Sequence, residues 1–261
     1  MIDLSNLSGL NIFFDDGKLI LNDALQANCS IRIRHISDLA DVWMNAGLKG
    51  DQIVYTTYMH LIRTEDEQLF DENQLEHGIV VMPPGIYSGE YAKLYGHFHP
   101  PLPDNPNTSS ELHSILYGRG NFLLQESFPP YDHITDVVLI EARTGDKFII
   151  PPNYGHIAIN PSNDFLIYDG FLPSHLEANY EPYQRFRGGA YYDVTDKNNI
   201  PGYQLNPNYT HLPTLRRISA KDIKNMDIIN SYTSCYEAVI NHFEYFDFIN
   251  KPQLFKNEWG F

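Results

Sequence analysis

Short apolar runs separated by turn residues dominate the middle of the chain. The runs cover residues 53–58, 79–82, 115–117, 122–124, 137–140, 148–150 and 165–168. Proline- and glycine-rich turns at residues 83–85, 118–120 and 144–146 separate several of them. Many short strands at this spacing are typical of an antiparallel β-sandwich or β-barrel.

The two ends of the chain show other patterns. Residues 11–21 contain two short strands around an Asp-Asp-Gly turn and predict a hairpin. Ser37 predicts the N-cap of a helix over residues 38–46. Apolar residues at helical spacing predict a further helix over residues 233–249. We therefore expect a β-barrel domain with an N-terminal strand arm over residues 1–200. Residues 201–261 would form a partly helical C-terminal extension packed on the barrel.

Composition and charge argue against several classes of function. The 261 residues include 33 acidic and 18 basic side chains, a formal net charge of −15. Such a charge argues against nucleic acid or an anionic membrane as the main partner. Two cysteines, Cys29 and Cys235, provide neither a disulfide framework nor a cysteine-rich zinc site. Since no secretory signal or 18-residue apolar stretch is present, we expect a soluble, cytoplasmic protein.

Three histidines and one glutamate carry the candidate chemistry. His97 and His99 are two residues apart, so in an extended strand both side chains project from the same face. Glu111 adds a carboxylate and His156 a third imidazole. Three neutral imidazoles and one carboxylate suit a divalent transition metal such as Fe, Mn, Ni or Zn. The alternative is a set of core histidines in a metal-free binding or storage protein.

The spacing of these residues resembles the two cupin motifs. The first motif runs from His97-Phe98-His99 through Glu111 to Gly118. Eleven residues separate His99 from Glu111, where a typical cupin has only a few. This insert, residues 100–110, is rich in proline, asparagine and serine and predicts a loop over the barrel mouth.

The second motif is the more specific of the two. It runs through Gly145, Pro151, His156 and Asn160, with Asn153 where a glycine is usual. The resemblance implies an all-β fold: a jelly-roll-like, double-stranded β-barrel with a few peripheral helices. Cupins commonly pair through barrel edges, so we expect a homodimer.

Within the cupins, the chain resembles the metal-dependent phosphoglucose isomerases of the archaeal type over roughly residues 10–190. The shared stretches include Gly-Arg-Gly-Asn-Phe-Leu-Leu-Gln at 118–125 and Pro-Pro-Asn-Tyr-Gly-His at 151–156. This resemblance implies interconversion of glucose 6-phosphate and fructose 6-phosphate. It further implies four metal ligands, His97, His99, Glu111 and His156, and substrate contacts at Tyr55, Gly96 and Tyr180.

Aldose–ketose isomerisation also needs a base that reaches a carbon-bound proton. The candidates are Glu111 and His113, which lie two residues apart on one strand face. A direct hydride shift is the alternative route. His113 would otherwise be a residue that orients a metal ligand, and Tyr55 would be ordinary barrel packing.

Two departures from the family pattern concern the phosphate. Leu94 and Val80 stand where the family has threonines, and neither side chain can donate a hydrogen bond to a phosphate oxygen. Arg185 and Arg187 are either replacement contacts or ordinary surface residues. These departures favour a second hypothesis, a metal-dependent oxygenase, lyase or epimerase acting on an unphosphorylated metabolite. A non-catalytic sugar-binding cupin is the third.

Overall fold

The computed structural model describes residues 1–256 apart from 104, 197, 199, 224 and 225. Two large sheets curl toward each other around an apolar core, and short helices lie at the periphery. The predicted all-β cupin fold is confirmed. In the part of the chain described, no helix is both long enough and apolar enough to cross a membrane.

The first sheet has six antiparallel strands. In spatial order they are Lys147–Ile150, Glu111–Tyr117, Leu166–Pro173, Leu75–Met82, Ile53–Met59 and Ser30–His35. The strand that begins at Glu111 therefore lies near one side of the sheet, and Ser30–His35 forms the opposite edge.

The second sheet has eight strands. In spatial order seven of them are Pro201–Leu205, Tyr191–Thr195, Glu90–Lys93, Tyr154–Asn160, Arg119–Ser127, Ile134–Arg143 and Arg216–Ser219, and Ile86–Tyr87 pairs with Glu90–Lys93. An isolated bridge pairs His97 with His156 next to this sheet. The first and second sequence motifs therefore meet at the backbone level.

Two small sheets complete the β-structure. Ile2–Asp3, Ile12–Asp15 and Lys18–Leu21 form the N-terminal arm, which confirms the predicted hairpin. Pro101–Leu102 pairs with Asn105–Thr108 inside the insert. The prediction of a plain loop over residues 100–110 was therefore wrong. The base of this hairpin is held by Asn153, whose backbone N–H donates to Thr108 Oγ1 over 2.7 Å.

The helices are short. The α-helices are Ser5–Ser8, Asp23–Asn28, Glu67–Glu72, Glu181–Phe186, Asp227–Ser231 and Cys235–Asn241. The 3₁₀ helices are Ile36–Leu39, Thr64–Asp66, Ala220–Asp222, Phe243–Ile249 and Pro252–Leu254.

The predicted helix over residues 38–46 was wrong. Only a 3₁₀ turn, Ile36–Leu39, forms there, and its N-cap is His35. The Ser37 hydroxyl donates to the Gly50 carbonyl over 2.9 Å, so it is not available as a helix cap. Trp43, fully buried, donates its indole N–H to the Ile36 carbonyl over 2.9 Å. These side-chain hydrogen bonds favour tight turns over a helical ladder.

The C-terminal segment contributes both strands and helices to the structure. Pro201–Leu205 extends the second sheet, so strand pairing continues across residue 200 and the division into two parts stays a prediction. The single helix predicted over residues 233–249 is broken at His242, where Cys235–Asn241 ends and a 3₁₀ helix begins. Tyr236 packs on Phe70 and Phe171, all three fully buried. Burial of each ring stabilises the fold by about 1.5–3 kcal/mol.

Candidate metal centre

Three imidazoles surround one carboxylate between the two sheets. One ligand atom from each of His97, His99, Glu111 and His156 lies within 4.8 Å of the others. Glu111 Oε1 is 2.8 Å from His99 Nε2 and 3.7 Å from His97 Nε2. The other oxygen, Oε2, is 3.5 Å from His156 Nε2. The structure thus brings together all four residues predicted as metal ligands.

The backbone around His97 fixes its position. The His97 and His156 backbones exchange hydrogen bonds of 3.3 and 3.1 Å. Gly96 before it has φ +80°, and a Cβ there would lie 2.5 Å from Ile157 Cγ1. A glycine is therefore required at this turn. Phe98 points away from the imidazoles and is 1% exposed, as the alternation of a strand requires.

The end of the insert orients His99. Ser109 places its carbonyl oxygen 3.0 Å and its hydroxyl oxygen 2.8 Å from His99 Nδ1. With Nδ1 protonated and donating to the carbonyl, the lone pair of Nε2, on the side of the ring that faces Glu111, is free to bind a metal. The insert therefore helps to build the site.

His113 holds the other side of the carboxylate. Its Nε2 is 2.8 Å from Glu111 Oε2, and its Nδ1 is 3.0 Å from the Asp169 carbonyl. Gly170 makes room for the ring, because a Cβ there would lie 2.8 Å from His113 Cε1. His113 is 5% exposed and is packed against Phe148 and Tyr168. The two predicted catalytic residues are therefore in direct contact.

Burial and neighbouring groups keep the imidazoles of His97 and His156 neutral and the carboxylate of Glu111 ionised. Burial lowers the pKa of His97, and it lowers the pKa of His156 well below its usual value. Burial alone would raise the pKa of Glu111, but the surrounding imidazoles, His156 first among them, hold it well below the usual range. Neutral imidazoles and an ionised carboxylate are the protonation states that bind metal ions.

Unpartnered nitrogen atoms indicate that the cluster fits a metal. His97 Nε2 and His156 Nδ1 are buried and have no hydrogen-bond partner among the described residues. Buried polar atoms are rarely left without a partner, because this costs free energy. A divalent ion bound at Nε2 of His97 would remove that cost. Three nitrogens and one carboxylate suit Fe, Mn, Ni or Zn alike.

A cavity of about 330 Å³ opens from this cluster. The predicted substrate contacts Tyr55, Gly96 and Tyr180 all line it, and so do Leu94 and Val80. Tyr55 is buried beside Arg34. Burial raises the pKa of Tyr55 to about 12, an increase that the Arg34 charge partly offsets, so its hydroxyl stays protonated and can donate a hydrogen bond. The roles of these residues stay predictions.

The arginines of the cavity were missed by the sequence analysis. Arg185 and Arg187 do not line it; each donates to a backbone carbonyl, of Pro130 and Ala40 respectively. Arg32 and Arg34 line it instead. The signal was present as alternation in the strand Ser30–His35, where every second residue is polar.

Metal retention should persist to mildly acidic pH. Because burial lowers the pKa of His97 and His156, protons compete with the metal at these two imidazoles only below the usual histidine pKa of about 6.5. Dialysis of zinc-loaded protein against a chelating buffer should leave the zinc content equal at pH 7.5 and 6.5 and lower it at pH 5.5. A hexahistidine peptide should lose zinc between pH 7.5 and 6.5, and the same behaviour in the protein would contradict this prediction.

Comparisons with known proteins agree with the family resemblance. The family model described as glucose-6-phosphate isomerase (GPI) matches residues 34–210, more than half of the chain. The resemblance noted from the sequence is thereby confirmed. No curated protein gives a match.

Solved structures with a similar barrel are more distant. An oxalate oxidase in complex with the substrate analogue glycolate is 16% identical, with 43% of this chain and 49% of that chain covered and a TM-score of 0.33. Oxalate decarboxylase from Lactobacillus farciminis is 19% identical, with 45% of this chain and 28% of that chain covered and a TM-score of 0.33. The 7S globulin of Momordica charantia is 12% identical over 59% and 35%, TM-score 0.37. The matched region spans half or less of each of these proteins.

Proposed function

Since the chain belongs to the cupin-type glucose-6-phosphate isomerase family, we propose that it is a metal-dependent aldose–ketose isomerase. The proposed substrate pair is glucose 6-phosphate and fructose 6-phosphate or a closely related pair of sugar phosphates. The observation that carries the proposal is the ring of three imidazoles around Glu111 at the end of a cavity of about 330 Å³. The homodimer and the cytoplasmic location stay predictions.

The energy barrier of this reaction comes from changes at two atoms of an open-chain sugar. A proton must leave the carbon next to the carbonyl, and negative charge builds on the carbonyl oxygen. A divalent metal held by His97, His99, Glu111 and His156 would act as a Lewis acid that stabilises this charge.

Glu111 would transfer the proton, and His113 would position Glu111. Glu111 Oε2 is the carboxylate oxygen that faces His113 rather than His99, and we assign to it the removal of the proton from carbon. His113 Nε2, at 2.8 Å, holds this oxygen in place. Packing against Phe148 and Tyr168 fixes the His113 ring, and the Asp169 carbonyl oxygen lies 3.0 Å from its Nδ1. Return of the proton to the neighbouring carbon completes the isomerisation.

The other residues of the cavity bind the substrate and keep water away. Tyr55 supplies a protonated hydroxyl as a hydrogen-bond donor. Val80 and Leu94 add apolar surface to the lining of the cavity. Exclusion of water strengthens the interactions of the charged groups at the reacting carbons.

The direct test is turnover by protein loaded in turn with Fe, Mn, Ni or Zn. We expect fructose 6-phosphate to be converted to glucose 6-phosphate by at least one form. Chelation should abolish the activity, and addition of the same metal should restore it. Turnover that is unaffected by chelation, or none with either hexose phosphate in any form that retains bound metal, would contradict the proposal.

Leu94 and Val80 favour a second candidate function. Both line the cavity and neither donates a hydrogen bond. An enzyme that acts on an unphosphorylated metabolite, as an oxygenase, lyase or epimerase, needs no donors at these positions. Oxygen consumption by the iron-loaded protein with neutral sugars would identify the oxygenase.

Replacement of His113 separates positioning from metal binding. His113→Phe should lower kcat by about 10- to 100-fold, because the carboxylate loses the group that orients it. Metal content, measured by mass spectrometry, and KM should stay near the wild-type values. His175→Asn, an exposed histidine outside the cavity, is the control. Unchanged kcat would show that His113 plays no part, and loss of the metal would show that it is a ligand.

A further inference from the structure

The edge strand Ser30–His35 has the reverse of the usual polarity. Ile31 and Ile33 are each 46% exposed and line an apolar cavity on the face of the strand opposite to the arginines. Arg32, which is exposed, and Arg34, which is half-buried, line the cavity of the metal site. In a sheet with one face on the core, the apolar residues normally face inward. Two arginines turned toward a cavity therefore need a physical reason.

Neither arginine forms an ion pair with an acidic side chain in the described part of the chain, although a backbone hydrogen bond and, to a smaller extent, the Arg34 charge lower the pKa of Asp38. Among the described residues, ion pairs form at Arg63, Arg216 and Arg217, but none forms at Arg32 or Arg34. Acidic partners are plentiful in a chain with 33 acidic residues. A guanidinium without a carboxylate can bind an oxyanion through two parallel hydrogen bonds.

Strand pairing in the first sheet places hydrogen-bond donors next to Val80, which has no donor of its own. Val80 is opposite Thr57 on the next strand, and Thr57 is opposite Arg32 on the edge strand. Neighbouring strands lie about 4.8 Å apart. A hydroxyl is therefore present one strand away from Val80, on Thr57, where it donates a long 3.5 Å hydrogen bond to the Arg32 carbonyl, and a guanidinium lies two strands away. Arg34 is opposite Tyr55, which supplies a second hydroxyl.

The cavity connects these donors to the metal ligands. On the strand that carries Glu111 and His113, His113 is opposite Gly170, and Gly170 is opposite Gly78 on the strand after that. The two outer strands lie beyond Gly78. A Cβ at Gly78 would lie 2.4 Å from Met59 Sδ, so the Met59 side chain lies over Gly78, and both residues line the cavity between the two ends. A substrate with its carbonyl at the Glu111 end would extend its far end toward the edge strand.

We propose that Arg32 and Arg34, together with Thr57, form the subsite for an anionic group at the substrate end remote from the carbonyl. The ligand is an open-chain sugar with a terminal phosphate or carboxylate. The orientation of that sugar rests on the proposed function. The subsite lies one and two strands from Val80, at the edge of the sheet, and uses none of the positions where the family resemblance placed the phosphate contacts.

The alternative explanation is that the two arginines have a purely structural role, and it predicts a different result for their substitution. Inward-pointing charges on an edge strand prevent pairing with the edge of another molecule. If the arginines had only this role, glutamine at either position would change self-association and leave ligand affinity unchanged. Ligand affinity and oligomeric state therefore separate the two explanations.

The test is calorimetric titration of metal-loaded protein with fructose 6-phosphate, glucuronate and fructose. These probes carry a terminal phosphate, a terminal carboxylate and no charge. Arg32→Gln and Arg34→Gln should each raise Kd for the anionic probe that binds by about 10- to 100-fold. The Kd of fructose should not change. Arg32→Lys should raise Kd by a smaller factor. Arg143→Gln is the matched control, since Arg143 does not line the cavity.

The outcomes distinguish the ligand source and the two proposals. Arginine-dependent binding of fructose 6-phosphate identifies a phosphate subsite, and arginine-dependent binding of glucuronate identifies a carboxylate subsite. Wild-type affinity in both glutamine variants, or no binding of either anion to the wild-type protein, would overturn the inference. Isomerase activity of the wild-type protein is measured separately. If the protein turns over the substrate but its affinity does not depend on the arginines, only the subsite proposal is contradicted. If binding depends on the arginines but no turnover occurs, only the proposed isomerase function is contradicted.

Discussion

Glu111→Gln is expected to lower kcat/KM for fructose 6-phosphate by about 10³-fold or more, because it removes the negative metal ligand and the proposed base together. The glutamine has nearly the same shape and fills the same space among the imidazoles. Replacement of a buried charge by a neutral group of equal volume does not by itself unfold a protein. We therefore expect the thermal midpoint of the metal-free variant to stay within a few degrees of wild type.

The measurement combines steady-state kinetics with metal content and thermal unfolding. Glu126→Gln is the control, since Glu126 accepts a hydrogen bond from Thr135 on the second sheet and does not line the cavity. The control should keep wild-type kinetics. An active Glu111→Gln protein with a full complement of metal would contradict both roles assigned to Glu111.

The largest stability effect is expected for Gly118→Ala. Gly118 has φ +83°, and a Cβ there would lie 2.1 Å from the Phe165 carbonyl oxygen, a backbone atom that cannot rotate away. Backbone strain and this clash together should destabilise the protein by about 3–5 kcal/mol. The thermal midpoint should fall by about 10 °C or more.

Gly145→Ala is the matched control for this effect. Gly145 has φ +87°, and a Cβ there would meet no atom within 4 Å. Only the strain of the left-handed backbone remains, about 1–2 kcal/mol. The difference between the two variants therefore measures the clash. Equal losses of stability, from urea unfolding of both variants, would show that Phe165 does not confine Gly118.

The sequence predicted the strands well where apolar runs are continuous. Residues 137–140 and 148–150, for example, lie inside Ile134–Arg143 and Lys147–Ile150. It underestimated strand length where polar residues are buried. His113 and Asp169 belong to the first sheet because the ring of His113 reaches the Asp169 carbonyl and the Asp169 carboxylate accepts from the Ser114 backbone. Burial of polar side chains depends on such partners, which are far apart in sequence.

The metal ligands were predictable because two motifs fix their spacing, and the structure brings these four side chains together. Their supporting contacts were not predictable. Asn153 stands where the second motif has a glycine, and its φ of +70° shows that the backbone still needs the left-handed conformation. Asparagine tolerates this conformation, and its side chain bonds the insert at Thr108 over 3.1 Å. Only the tertiary structure reveals that Asn153 and the insert belong together.

The failed helix over residues 38–46 has a similar origin. Ser37 has the chemistry of a helix cap, but its hydroxyl also accepts from the Gly50 backbone over 3.0 Å. A bond across thirteen residues competes with a local cap and no propensity scale includes it. The arginines of the edge strand were overlooked for a related reason, since only the sheet order shows which face of Ser30–His35 meets the cavity.

Anomalous diffraction from crystals loaded with one equivalent of Zn²⁺ tests the central claim most directly. The claim is that Glu111 and three histidines from separate segments hold one divalent ion. It predicts a single peak about 2.0–2.2 Å from one atom each of His97, His99, Glu111 and His156. A peak elsewhere, for instance between the stacked rings of His133 and His211, with Glu111 free of metal, would contradict the account.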